Sequence, residues 1–128
     1  MRLRLEVGSE EYLHLVNSAI HDDLMDIDTL KMDSDSGLLC VTLWQQPNQG
    51  AGRVWGPITD ATRAKVHLGR LTFRHVRAYE LVDTQRVGLY DVNRLRYDQR
   101  TCTIIVETGI PLVFRVQVDT VVVVVEFE

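Results

Sequence analysis

Apolar and polar residues alternate along much of the chain, which is the pattern of β-strands with one buried face. A first strand is predicted over residues 2–7. The segments 26–33 and 38–44 flank "SDSG", and this turn sequence predicts a hairpin in which Gly37 takes a positive φ. Further strands are predicted over residues 70–83, 87–97, 102–107 and 112–118.

The predicted strand 70–83 is irregular, because its apolar residues change parity near Arg74–His75. Leu71 and Phe73 share one parity, whereas Val76 and Ala78 share the other. Such a change indicates either a bulge near Arg74–His75 or burial on both faces of the strand.

A helical period replaces the alternation over about residues 10–22. Ser9 is a good N-cap residue for this segment, and acidic residues follow it in the first turn. The segment therefore predicts one amphipathic helix, whose apolar side consists of Tyr12, Leu13, Val16, Ala19 and Ile20.

The C-terminal segment "TVVVVVEFE" is apolar on both faces. Its two glutamates should face water, which turns Val121, Val123, Val125 and Phe127 inward and leaves Val122 and Val124 on the outer face. Because the inward residues of 112–118 have the opposite parity, the chain must bend near Asp119–Thr120. The outer valines predict a strand that is covered by the helix or lies in a subunit interface.

These elements predict a single domain over residues 1–128 of the α+β class. We expect a mainly antiparallel sheet of about eight strands with one N-terminal amphipathic helix. The pattern leaves open whether the sheet forms a partly open barrel or a two-layer sandwich.

Charge is distributed unevenly along the chain. The net charge of −4 divides into −6 over residues 1–40, +5 over 41–100 and −3 over 101–128. A protein that binds nucleic acid through its backbone usually has a strongly basic surface, so nucleic-acid binding is not expected. No apolar run approaches the roughly 20 residues of a membrane span, and a signal-peptide pattern is missing, so we expect a cytoplasmic protein without membrane contact. Cys40 and Cys102 are predicted to be buried free thiols.

The sequence "HDDLMDID" (21–28) places a histidine among four aspartates. His14 and His21 are seven residues apart, roughly 10 Å along a helix, which is too far for both to bind one zinc ion. "DSDSG" lacks the spacing of a calcium loop. We therefore predict no metal site here and interpret the segment as the junction between the helix and the sheet. If it has a direct function, we expect recognition of a partner protein through His21, Asp22, Asp23 and Asp26.

No residues in the chain form a recognised nucleophile motif, and "GAGRVWG" (50–56) lacks the setting of a phosphate-binding loop. No catalytic residue and no cofactor are therefore predicted. The alternative is a small-ligand-binding or enzymatic β-barrel, with a pocket lined by Trp44, Trp55, Tyr79 or Tyr90 and with His75 and Arg77 as its polar groups.

The order of a few residues resembles that in a group of small bacterial β-rich proteins. Some of these are uncharacterised, and others are immunity proteins of toxin–immunity pairs. The resemblance implies no catalytic residues, and it rests on His21, Asp22, Leu24, Ile27, Leu71, Phe73 and Val76.

The leading hypothesis is a non-enzymatic protein-interaction module, either immunity-like or a subunit of a homo-oligomer. Its partner would be another protein or a second copy bound through the C-terminal strand.

Overall fold

The computed structural model describes residues 3–45 and 67–128, which form nine strands and one α-helix. Trp55 and the segment 50–56 lie outside the described residues. A 3-10 turn at Glu10–Tyr12 precedes the helix. The elements are β1 (Leu3–Val7), α1 (Leu13–Ile20), β2 (Leu24–Asp33), β3 (Leu38–Gln45), β4 (His67–Phe73), β5 (Val76–Val82), β6 (Leu89–Asp98), β7 (Thr103–Thr108), β8 (Val113–Val118) and β9 (Val123–Phe127).

All nine strands pair antiparallel in one open sheet with the order β1-β9-β4-β3-β2-β6-β7-β8-β5. Strands β1, β9, β4, β3 and β2 form a first layer, and β6, β7, β8 and β5 form a second. The layers join where Leu24–Asp26 of β2 pairs with Leu89–Asp91 of β6. Phe73 of β4 meets Phe114 of β8 edge to face, with 6.1 Å between ring centroids, so the layers face one another. The predicted α+β class with a mainly antiparallel sheet is confirmed.

The prediction of one continuous strand over residues 70–83 is wrong. The chain breaks at Arg74–His75, where His75 has a φ of 56°, and β4 and β5 lie in different layers. Near this corner, Val76 donates its backbone N–H to the carbonyl oxygen of Gly37 at 2.9 Å. Gly37 has the predicted positive φ, 67°, and a side chain there would press on the backbone of Val76. The parity change therefore marks a passage between layers.

The predicted inward residues of the last strand are confirmed. Val121, Val123, Val125 and Phe127 are all buried. Val124, on the opposite face, is also buried at 2% exposure, so it offers little apolar surface. Because β9 lies between β1 and β4, both of its edges are already hydrogen-bonded. Neither edge of β9 is therefore free to pair with a second copy, and self-association through the outer face of the C-terminal strand stays a prediction.

Helix α1 packs against β6, β1 and β9 through Leu13, Val16 and Ile20, which are buried. The part of the chain that the structure describes contains no helix long and apolar enough to span a membrane. The helix is shorter than predicted, because its first residues form the 3-10 turn and its last residue is Ile20. Tyr12, which was assigned to the apolar side, is 49% exposed.

The two cysteines are free thiols in different environments. Cys40 is half-buried on β3. Cys102 is exposed in the turn between β6 and β7, with a φ of 51°, so the prediction that it is buried is wrong. The turn moves its side chain out of the apolar run that follows.

Candidate functional site

The segment "HDD" (21–23) connects α1 to β2, as predicted, and it is tied to β6 by backbone hydrogen bonds. Asp22 has a φ of 71°, which turns the chain out of the helix. Its N–H donates to the carbonyl oxygen of Val92 at 2.9 Å, and the N–H of Val92 donates to the carbonyl oxygen of Asp23 at the same distance. Asp23 is fully buried. It is therefore not available as a surface contact, and charge reversal there would disturb the fold.

The imidazole of His21 is also used within the junction. Its Nδ1 lies 3.0 Å from the carbonyl oxygen of Asn93 and donates to it when protonated, while its Nε2 lies 3.4 Å from an Asp22 carboxylate oxygen. His14 makes a similar Nδ1 contact with the carbonyl oxygen of Glu11 at 3.0 Å. Both histidines border a shallow depression of about 500 Å³.

Asp26, which was predicted to act together with the junction residues, lies within β2 and not in the turn that forms the junction. Asp26 lies on β2, opposite Thr42 and Leu89, and accepts the N–H of Asp28 at 3.2 Å. Among residues 3–45 and 67–128, no three His, Cys, Asp or Glu side chains are grouped so that they could hold a metal ion.

The described aromatic residues that were predicted to line one pocket lie on different strands. Trp44 lies on β3 opposite Leu24 and Leu68, in the first layer. Tyr90 is fully buried, whereas Tyr79 lies on the edge strand β5 and is 42% exposed.

The two polar groups assigned to that pocket lie near the corner between β4 and β5. His75 is exposed there, and its carbonyl oxygen accepts the N–H of Asp119 at 2.9 Å. Arg77 forms an exposed ion pair with Asp119 at 3.3 Å. His75 and Arg77 therefore contact Asp119 at the surface of this corner, and they do not form a pocket with Trp44.

A larger group of polar side chains lies on the outer face of the second layer, which we call the charged face. Its side chains alternate with buried residues such as Phe114, Val116, Ile104 and Val106. Strand pairing arranges them in three rows across the sheet. The rows are Ala78, Gln117, Thr103 and Asp98; Glu80, Arg115, Ile105 and Arg96; and the pairs Val82–Val113 and Glu107–Arg94.

Opposite charges on this face are paired at the surface. Glu107 accepts from Arg94 at 2.7 Å and lies 3.0 Å from Arg96, and the hydrogen bond from Arg94 holds the pKa of Glu107 below its usual range. Glu80 lies 3.3 Å from Arg115, and both side chains are more than half exposed. The face carries three arginines and three carboxylates, so it is balanced in charge.

Two depressions divide the charged face. One of about 620 Å³ extends across all four strands, between Tyr79 and Glu80 at the edge and Arg96 and Asp98 on β6. The other, of about 590 Å³, has apolar side chains at Val82, Leu112 and Val113. A charged area and an apolar area are therefore adjacent on one surface.

The sequence interpretation overlooked the residues of the charged face. Arg94 and Arg96 share one parity on β6, and Arg115 and Gln117 share one parity on β8. That alternation was visible in "NRLRY" and "FRVQV". The order in which β6, β7, β8 and β5 lie side by side was not visible, and it is this order that joins the residues into one face.

Comparisons of the chain with protein-family models, with curated proteins and with solved structures found no match.

Proposed function

We propose that the protein is a non-enzymatic protein-interaction module that binds a partner protein through the charged face. The observation that carries the proposal is the composition of this surface: exposed arginines lie beside an apolar groove. Arginine is enriched at protein interfaces, where its guanidinium group combines contact area with directed hydrogen bonds. The charges of the face would set the orientation of the partner.

The packing of the interior supports an external binding surface. Buried apolar side chains from both layers form one continuous cluster, including Met25, Leu43, Tyr90 and Ile104, which are fully buried. Filled space between the layers favours a partner that binds on the outside over a ligand held inside a barrel.

A small ligand is the second candidate, because the larger depression has a volume in the range of ligand sites, about 300–1,000 Å³. Arg96 and Arg115 line it and could bind an anionic group. A thermal-shift screen of metabolites separates the candidates. Stabilisation by a small anion that disappears in an Arg96→Glu variant favours the ligand, and no stabilisation favours the protein partner.

The sequence predicted recognition of a partner protein through His21, Asp22, Asp23 and Asp26 at the acidic junction. Asp23 cannot contribute to such a surface, because it is fully buried. We therefore assign partner binding to the charged face, whose balanced charges suit a partner of mixed charge.

The decisive experiment compares two double variants with the same change in charge. Arg96→Glu with Arg115→Glu reverses the charged face. Arg4→Glu with Arg74→Glu reverses two exposed arginines that pair with Glu6. Each protein is used to capture partners from an extract of the source cells, and the captured protein is then purified and titrated.

Wild type and the Arg4/Arg74 variant should bind the purified partner equally. The Arg96/Arg115 variant should bind it at least about tenfold more weakly, because like charges would meet across the interface. Equal binding by all three proteins would refute the proposal, and so would loss of binding in the Arg4/Arg74 variant alone.

A further inference from the structure

The strand β5 is one edge of the open sheet. It pairs with β8 along one side, and no described strand pairs with its other side. In an antiparallel strand every second peptide group points away from the existing partner. The segment Ala78–Val82 therefore directs backbone N–H and C=O groups outward. The exposed ion pair of Arg77 with Asp119 lies at the beginning of the strand, and Ala78, Tyr79, Glu80 and Val82 are exposed.

The other edge strand, β1, differs in its surroundings. It has five residues, α1 packs next to it, and its Arg4 and Glu6 form an ion pair at 2.8 Å. Charged residues and adjacent elements are common devices that prevent a strand from being added at an edge. β5 is longer, with seven residues, and its charged residues are Arg77 at its beginning and Glu80 in its centre.

The side chains of β5 determine which strand would fit. Val82 is opposite Val113, and Glu80 is opposite Arg115. Directly opposite residues on one face stabilise a sheet when they are both apolar or carry opposite charges. An added strand would meet the same Val82 and Glu80 from the other side. Because the Glu80 side chain is 57% exposed and its contact with Arg115 involves one carboxylate oxygen at 3.3 Å, it can accept a second cation.

We propose that β5 binds an extended segment of the partner protein as an additional antiparallel strand. That segment has an apolar residue opposite Val82 and, two positions later, a lysine or arginine opposite Glu80. The order of these residues follows from the antiparallel direction, and β8 shows it already with Val113 and Arg115. This inference rests on the proposed function and specifies the chemistry of the partner.

The test uses a synthetic peptide with the sequence Thr-Val-Thr-Arg-Thr-Gln-Thr, blocked at both ends. Binding is measured by fluorescence anisotropy, and the contact is located by amide hydrogen exchange. Two further peptides are N-methylated on alternate sets of amides, because one set faces β5 in an added strand and the other set faces water. A fourth peptide has glutamate in place of arginine.

The parent peptide should bind and slow exchange within Ala78–Val82. One N-methylated peptide should lose binding and the other should keep it. The Glu80→Lys variant should bind the parent peptide about tenfold or more weakly and should bind the glutamate peptide in its place. This exchange of specificity is a property that general destabilisation would not produce.

Strand addition is wrong if both N-methylated peptides bind as well as the parent, if protection appears away from β5, or if the peptide does not bind. It is also wrong if sedimentation shows that a second copy occupies this edge. In each case, weaker binding of the natural partner by the Arg96/Arg115 variant would still support the proposed function. Unchanged binding by that variant would refute the proposed function as well.

Discussion

The helix–sheet junction and the charged face both concentrate ionisable side chains, but they use them differently. At the junction, the backbone of Asp22 and Asp23 is bonded to β6, and Asp23 is fully buried. On the charged face, the side chains that form the ion pairs of Glu107 and Glu80 are between 37% and 61% exposed to water. Exposed ion pairs contribute at most about 1 kcal/mol each to stability.

The contrast shows that clustering of charged residues in a sequence does not locate a binding surface. The junction residues are close in sequence because together they form the single turn that connects α1 to β2. The residues of the charged face come from four strands and have few structural tasks, so they are available to a partner. Substitutions at the junction should therefore change stability, and substitutions on the charged face should change binding.

Charge reversal at Asp23 should have the largest effect on stability. Asp23→Lys places an ammonium group in the packed interior, which should cost about 3–5 kcal/mol of unfolding free energy. Asp28→Lys, at an exposed position on β2, is the matched control and should change stability by less than about 0.5 kcal/mol. Urea unfolding measures both variants. Equal stabilities would mean that Asp23 reaches the surface.

The side chain of Asn17 is the next most important contact of this region. Its Oδ1 accepts the N–H of Leu95 at 2.6 Å, and its Nδ2 donates to the carbonyl oxygen of Leu95 at 3.0 Å. Asn17→Ala leaves both backbone groups without this partner and should cost about 2–3 kcal/mol. Ser18→Ala, one residue away and exposed, should be nearly neutral. A loss below 0.5 kcal/mol for Asn17→Ala, roughly the value for a neutral surface site, would show that the helix is docked by apolar contacts alone.

Tyr90 should show a smaller effect that depends on pH. The pKa of its phenol is raised by burial and by the hydrogen bond to Asp83. The neutral phenol is therefore favoured in the folded protein. Its stabilisation is complete below the pKa of an unfolded tyrosine, about 10, and is lost as the pH rises through the higher folded pKa.

Tyr90→Phe removes this hydrogen bond and should cost about 1–2 kcal/mol at neutral pH. Urea unfolding of both proteins between about pH 8 and 11 tests the pH dependence. The stability difference should shrink above pH 10, about where an unfolded tyrosine ionises. A difference that stays constant across this range would contradict the assignment to the phenol.

The ion pairs of the charged face should have the smallest effect on stability. Glu107→Gln should cost less than about 1 kcal/mol at pH 7, and added salt should reduce the difference. Because the pKa of Glu107 is lowered by Arg94, its contribution is present above the pKa of an unfolded glutamate, about 4.3, and is lost as the pH falls through the lower folded pKa. A double-mutant cycle with Arg94→Ala isolates the pair. A coupling free energy between Arg94 and Glu107 as large as the loss expected for Asn17→Ala would show that the charged face, like the junction, is needed for stability.

Local periodicity was sufficient to predict most of the fold. The helix, the hairpin around Gly37 and the inward residues of β8 and β9 depend on neighbouring residues, and they could be identified from spacing. The parity change located the irregularity near Arg74–His75, but it did not distinguish a bulge from a passage between layers, because that passage depends on the left-handed backbone conformation of His75. The pairing of β5 with β8, more than 30 residues later, was equally hidden.

The candidate site was harder to predict for the same reason. The interpretation selected His21, Asp22 and Asp23 because they are adjacent in sequence. The arginines of the charged face are separated by intervening strands and become neighbours through the order of the sheet. Long-range strand order, which alternation does not encode, therefore determined the difference between the two regions.

Photo-crosslinking in the source cells tests most directly which of the two regions binds a partner. A photoreactive amino acid replaces Gln117 in the centre of the charged face or Ser18 beside the junction histidines, since both positions are exposed. Crosslinks to a specific partner protein should form from position 117 and not from position 18. Crosslinks from position 18 alone, or none from position 117, would contradict the assignment of the charged face as the binding surface.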